Sequence, residues 1–160
     1  MRIILTLFII LFISCNNQIL IPDYEKFVRG SDELAYRILY PQKFDKSKKY
    51  AIKLFLHGIG ERGKDNESQL TYVDKVFLNK KNLENYPSIV VFPQAPLSDN
   101  WSSVTLDGNK LSFPVDDPPT NSLKLVIKLM DSLTNENYAD KNRIYLSGLS
   151  NGGMGSFELL

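Results

Sequence analysis

Residues 148–152 read Gly-Leu-Ser-Asn-Gly, directly after the apolar run Ile144, Tyr145 and Leu146. A G-x-S-x-G pentapeptide behind a β-type run leaves the backbone few options. A strand that turns at once into a helix around a serine must bend sharply. Glycines at Gly148 and Gly152 remove the Cβ atoms that would strike the strand or the helix. Gly153 and Gly155 allow tight packing just beyond, and residues 154–160 can begin the helix. A glycine-rich turn with an incidentally exposed serine is the plainer reading of the same five residues. The strand before and the helix after favour the elbow, with Ser150 as the candidate nucleophile for acyl transfer.

The rest of the chain supplies a sheet for that elbow. Residues 32–40 (D-E-L-A-Y-R-I-L-Y), ended by Pro41, read as an antiparallel edge strand. Residues 50–56 (Y-A-I-K-L-F-L) form a buried strand. Residues 88–92 (S-I-V-V-F) are almost continuously apolar, as a parallel strand covered on both faces should be. Between these lie helical patterns. One follows Ser68, a candidate cap, and carries Leu70, Val73, Val76 and Phe77. A clearer one follows Asn121, with Leu123, Val126, Ile127, Met130 and Leu133 as a core-packing stripe. The alternation of strand and helix predicts an α/β fold with a mostly parallel sheet and flanking helices. Residues 101–114 are polar, with an Asp107-Gly108 turn, and read as a small hairpin or an active-site loop.

Composition narrows the function classes. The chain has 160 residues, 43% hydrophobic and 23% charged, which suits one packed domain. A net charge of +1 with no long run of one sign gives no reason to expect nucleic acid. One histidine and one cysteine rule out an internal disulfide and argue against a metal site. No cofactor is expected.

The N-terminus reads as an export signal over residues 1–14. Arg2 precedes the apolar residues 3–13, too short to span a bilayer as a mature helix but suited to a signal core. The run ends at Phe12-Ile13-Ser14-Cys15, which resembles a bacterial lipobox, with Phe12 in place of the usual leucine. An ordinary secretory signal with an incidental cysteine is the alternative. Lipidation of Cys15 would tether the protein to a membrane at the periplasm or the cell surface. Residues 15–30 are then a tether, and residues 31–160 the N-terminal portion of the α/β domain.

A tetrahedral acyl intermediate carries a negative oxygen that needs two or more aimed N–H donors. One donor would come from Asn151, the residue after the serine. The other would come from a loop after an earlier strand, and His57-Gly58-Ile59-Gly60 follows residues 50–56. The glycines make that loop an anion-facing backbone nest, and His57 reads as a loop-shaping residue rather than a base. Three segments in this order, L-F-L-H-G-I-G-E-R-G-K-D-N, V-V-F-P-Q-A-P followed by Trp101, and R-I-Y-L-S-G-L-S-N-G-G-M-G-S, resemble the α/β-hydrolase esterases of the predicted-peptidase, feruloyl-esterase-like and polyhydroxybutyrate-depolymerase-like group. The likeness runs over residues 36–160. It implies Ser150 as nucleophile, the backbone N–H groups of Ile59 and Asn151 as the oxyanion hole, and Gln94 and Trp101 on loops near the acyl or alcohol pocket. Read without the resemblance, Gln94 and Trp101 are loop-packing residues. Asn151 stands where the group commonly has methionine. Glu61, Arg62 and Asp65 are expected to order the loop through an ion pair.

Triad order in this fold is Ser, then Asp or Glu, then His. Only ten residues follow Ser150, with Glu158 among them and no histidine. The triad acid and base are therefore expected beyond Leu160, in a domain cut off after the elbow. The expected function is an exported, lipid-anchored serine carboxylesterase, acting on acylated plant polysaccharide, a small ester or a peptide. The competing expectation is a non-catalytic lipid-anchored protein that binds a saccharide or a partner protein.

Overall fold

The computed structural model describes residues 23–29, 32–73, 76–112 and 117–160. Its strands are β1 (Asp23–Arg29), β2 (Asp32–Leu39), β3 (Tyr50–Leu56), β4 (Ser88–Gln94), β5 (Thr105–Asp107), β6 (Lys110–Ser112) and β7 (Ala139–Gly148). Its helices are α1 (Lys80–Asn85), α2 (Asn121–Thr134) and α3 (Asn151–Glu158), with 3-10 turns at Ile59–Glu61 and Ser68–Leu70. The main sheet has the order β1-β2-β4-β3-β7. Strand β2 is antiparallel to both of its neighbours, β1 and β4, while β3 is parallel to both β4 and β7.

The sheet is covered on two faces. Residues of β4 alternate between them, which is why the strand is apolar throughout. Ile89 and Val91 face a core with Leu34, Ile38, Ile52, Leu56 and the α2 residues Leu123, Val126 and Leu129. Val90 and Phe92 face a second core with Leu39, Val73, Phe55 and Phe77. There Phe77 meets Phe55 and Phe92 edge-on, at 5.3 and 5.4 Å between ring centres. Ile52 and Ile89 are wholly buried, and truncating either to alanine should cost about 2–5 kcal/mol.

Several expectations change. Residues 32–40 do not form an edge: residues 23–29, read as tether, make β1 and cover β2. The D-Y-E-K-F-V-R sequence suits a short hairpin arm, and pairing satisfies backbone groups that β2 would otherwise leave bare. The helix expected after Ser68 is a single 3-10 turn, and α1 starts afresh at Lys80. Asp65, rather than Ser68, caps that turn by accepting the N–H groups of Glu67 and Ser68. The new start is set by Asn79, whose side chain accepts from the amides of Lys81 and Asn82. The buried stripe of α2 is rotated: Leu125 and Leu129 point inward and Ile127 is exposed. Its cap is Thr120, whose hydroxyl accepts the Leu123 N–H. The polar segment does form a hairpin, β5–β6, with Gly108 at φ +58° in the turn. Among the described residues β7 is the last strand on its side, and Ile144 and Tyr145 are half exposed rather than sandwiched. No helix among the described residues is long and apolar enough to cross a membrane. The signal segment and Cys15 lie outside the described residues.

Candidate active site

The turn from β7 to α3 has the geometry its glycines foretell. Ser150 sits at φ 53° and ψ −118°, a backbone conformation that costs a side-chain-bearing residue about 1–3 kcal/mol. It is solvent-exposed. A Cβ on Gly148 would stand 2.2 Å from the Gly152 carbonyl oxygen, and one on Gly152 would stand 2.1 Å from that of Leu56. Neither position admits any other residue without the backbone moving. The elbow is tied to β3 by the Leu149 N–H, which donates to Leu56 O at 3.0 Å. Asn151 opens α3, where a backbone N–H has no acceptor within the helix.

The loop after β3 lies against this elbow. A Cβ on Gly58 would be 3.8 Å from Ser150 Cβ and 3.6 Å from Leu149 O. His57, buried beneath the loop, holds it from both ring nitrogens. The Ala95 N–H donates to Nε2 at 3.0 Å, so that nitrogen is bare. Nδ1 then carries the proton and donates to Gly58 O at 2.6 Å. The Glu61 N–H also reaches Gly58 O, at 3.3 Å. With that carbonyl fixed on one side, the trans peptide plane turns the Ile59 N–H to the other. Burial is the main cause that holds the imidazole below its ordinary pKa, so the ring stays neutral. Trp101 packs edge-on against it at 5.0 Å between ring centres. A ring engaged this way has no nitrogen left to take a proton from Ser150.

Further side chains brace the loop. Arg62, expected in an ion pair, bonds instead to oxygen dipoles: Ile59 O at 3.0 Å, Leu97 O at 3.3 Å, Asp99 O at 3.2 Å and Asn100 Oδ1 at 2.8 Å. Its planar fork suits several carbonyls at once. Gln94 is buried, with Nε2 donating to Glu61 O at 3.1 Å and Asp65 Oδ1 at 2.8 Å while Oε1 accepts the Asn66 N–H at 2.7 Å. Asp65 is held well below the usual carboxylate range, chiefly by the Ser68 hydroxyl, then by the amides of Ser68 and Glu67 and by Gln94.

Solved structures share this fold. A crystal structure of a thermostable esterase matches with a TM-score of 0.70 and 33% identity, over 86% of this chain and 36% of that one. A ferulic acid esterase from the anaerobic fungus Anaeromyces mucronatus matches with a TM-score of 0.50 and 21% identity, over 82% of this chain and 50% of that one. The chain has the α/β-hydrolase fold. It spans a third to a half of the length of these two structures. No family model matches the chain, and no curated protein does.

In this α/β-hydrolase chain the structure brings Ser150, Asn151, Gly58 and Ile59 to one end of the parallel strands, where the strands' carboxyl ends meet the loops. Gly60 lies in the same loop, with open space where a Cβ would be. Gln94 and Trp101 are buried at that end. The backbone N–H of Trp101 donates to Asn151 Oδ1 at 3.0 Å, and Gly155 lies against the Cβ and backbone of Trp101, where an added Cβ would come within 2.7 Å of Trp101 Cβ. Glu158 binds the Ser102 hydroxyl and accepts the Ser103 N–H at 3.1 Å. Sequence reasoning missed the bracing by Arg62 and by the Asn151 side chain. The available signal was polar side chains at loop positions where a backbone amide alone would serve.

Proposed function

We propose that this chain is the nucleophile-bearing part of an exported serine hydrolase of the carboxylesterase type. Ser150 Oγ attacks an ester carbonyl carbon, the alcohol leaves, and water releases the acid from the acyl-enzyme. The N–H groups of Ile59 and Asn151 receive the oxyanion. The acid and base that complete the triad come from sequence after Leu160, since the sole histidine, His57, is locked in the loop. The observation that carries this reading is the exposed serine at φ 53°, with the glycine loop alongside it. Likeness to a thermostable esterase supports ester cleavage, and that of a ferulic acid esterase suggests an acylated plant polysaccharide as the substrate to try first.

The test is a fluorophosphonate probe on the full-length protein. Labelling that disappears in Ser150→Ala is the expected result. A folded full-length product that takes no label would overturn the enzyme reading and leave the binding protein in its place.

Export and lipid anchoring at Cys15 belong to the same proposal, supported by Arg2, the apolar residues 3–13 and the small Ser14. An alkyne-tagged palmitate fed to expressing bacteria should mark the wild type and not Cys15→Ser. Equal marking of both, or of neither, removes the anchor.

A further inference from the structure

The two N–H groups assigned to the oxyanion hole come from segments far apart in sequence, yet both segments bond to one short loop, residues 96–101. Arg62 grips it at Leu97 O, Asp99 O and Asn100 Oδ1, and with Nε it also holds Ile59 O, the carbonyl of the donor residue itself. From the elbow, Asn151 Oδ1 accepts the Trp101 N–H. Only the backbone of Asn151 is needed for the hole, so its largely buried carboxamide has another task. The loop is itself pinned. Asp99 Oδ2 accepts both the N–H and the hydroxyl of Ser122 at the start of α2, at 2.7 and 2.8 Å. Trp101 is wholly buried, with its Cβ and backbone against Gly155.

We propose that Arg62 and Asn151 are positioning residues, which set the separation of the Ile59 and Asn151 amides by bonding to the same loop. This rests on the hydrolase reading above. Donors of an oxyanion hole must be held within about 0.5 Å of the productive position, and misplacement by about 1 Å can cost a hundredfold in rate. Two separately anchored loops would drift independently. A shared anchor makes their errors common.

The test uses the full-length protein and p-nitrophenyl acetate, with Arg62→Ala, Asn151→Ala and the double variant. Each single change should lower kcat about tenfold with KM altered less than about twofold, because what is lost is made in the transition state. The double variant should fall well short of the hundredfold product, to about tenfold to twentyfold, since both changes release one loop. Asn100→Asp, which keeps an acceptor for the guanidinium, should retain the wild-type kcat. Should Arg62→Ala fail to fold, Arg62→Lys takes its place: it keeps the charge, loses the fork and should lose kcat likewise. Wild-type kcat in the single variants, a loss confined to KM, or a full multiplicative loss in the double variant would overturn the proposal. Fluorophosphonate labelling separates the two readings. An unlabelled wild type brings down the hydrolase and this inference together, whereas a labelled, active wild type with unimpaired variants brings down this inference alone.

Discussion

His57 Nε2 accepts the backbone N–H of Ala95 at 3.0 Å, and that bond fixes which ring nitrogen carries the proton. The same imidazole holds Gly58 O from its other side, so one neutral tautomer joins the end of β4 to the loop beside Ser150.

Acidification should therefore loosen the fold. Burial, opposed by the bond to Gly58 and aided by the nearby Arg62 charge, lowers the His57 pKa from its ordinary 6.5. As pH falls below that value the unfolded chain binds the proton first, so stability is complete above it and is lost on going below. Urea midpoints measured from about pH 8 to about pH 5 should decline, and His57→Gln should flatten the decline. An unchanged slope in the variant would assign the effect to other groups.

At Ser150 the strained backbone gives a comparison between two variants that both lack the hydroxyl. Alanine keeps the penalty of φ 53°, while glycine adopts that conformation freely. Ser150→Gly should be the more stable by about 1 kcal/mol, the conformational relief outweighing the added freedom of the unfolded chain. Paired denaturation curves decide it, and equal stabilities would mean the turn relaxes once the hydroxyl is gone.

Gly152→Ala meets hard backbone instead of a flexible side chain. The new methyl would press on Leu56 O at 2.1 Å and His57 O at 2.5 Å. A loss of about 3 kcal/mol or more is expected, with α3 pushed off β3. By contrast, Gly60→Ala, which meets open space, should change stability by less than about 1 kcal/mol. Similar melting temperatures for the two variants would contradict the packing described.

Asp65 predicts a second, more acidic window. Its carboxyl is held below its ordinary 3.8 by the Ser68 hydroxyl first, then by the Ser68 and Glu67 amides and by Gln94. A depressed carboxylate contributes stability that is present above the ordinary value and lost as pH falls through the folded one. Asp65→Asn should be less stable at neutral pH and should show a shallower acid limb below about pH 4. Overlapping acid-denaturation curves would remove Asp65 from the account.

The parts legible in the sequence were those that admit few residue types. A strand bent into a helix needs glycine at 148 and 152, where a Cβ would strike backbone, so the elbow could be read directly. The strands β3 and β4 were legible because burial on both faces demands apolar runs. Less was visible where partners decide. The hairpin arm β1 becomes a strand through its pairing with β2, the inward face of α2 is set by the sheet it meets, and Val76 is exposed although it shares a helical spacing with Val73. Arg62 looked like one half of an ion pair because charges sit beside it in sequence. Two of its partners are carbonyls 35 and 37 residues away, which no local pattern reveals.

The parallel pairing of β3 with β7 also bears on how the molecule assembles. Ser147 and Leu54, which meet across that pair, are 93 residues apart in the chain. Closing so wide a loop is entropically slow, and parallel strands reward it only when both have arrived. The bent turn that carries Ser150 thus cannot form before β3 and β7 have paired. During synthesis the ribosome must deliver β7 before Leu56 and Gly148 can come together, so the serine acquires its bent geometry late, after the aromatic cluster of Phe55, Phe77 and Phe92 has all of its members.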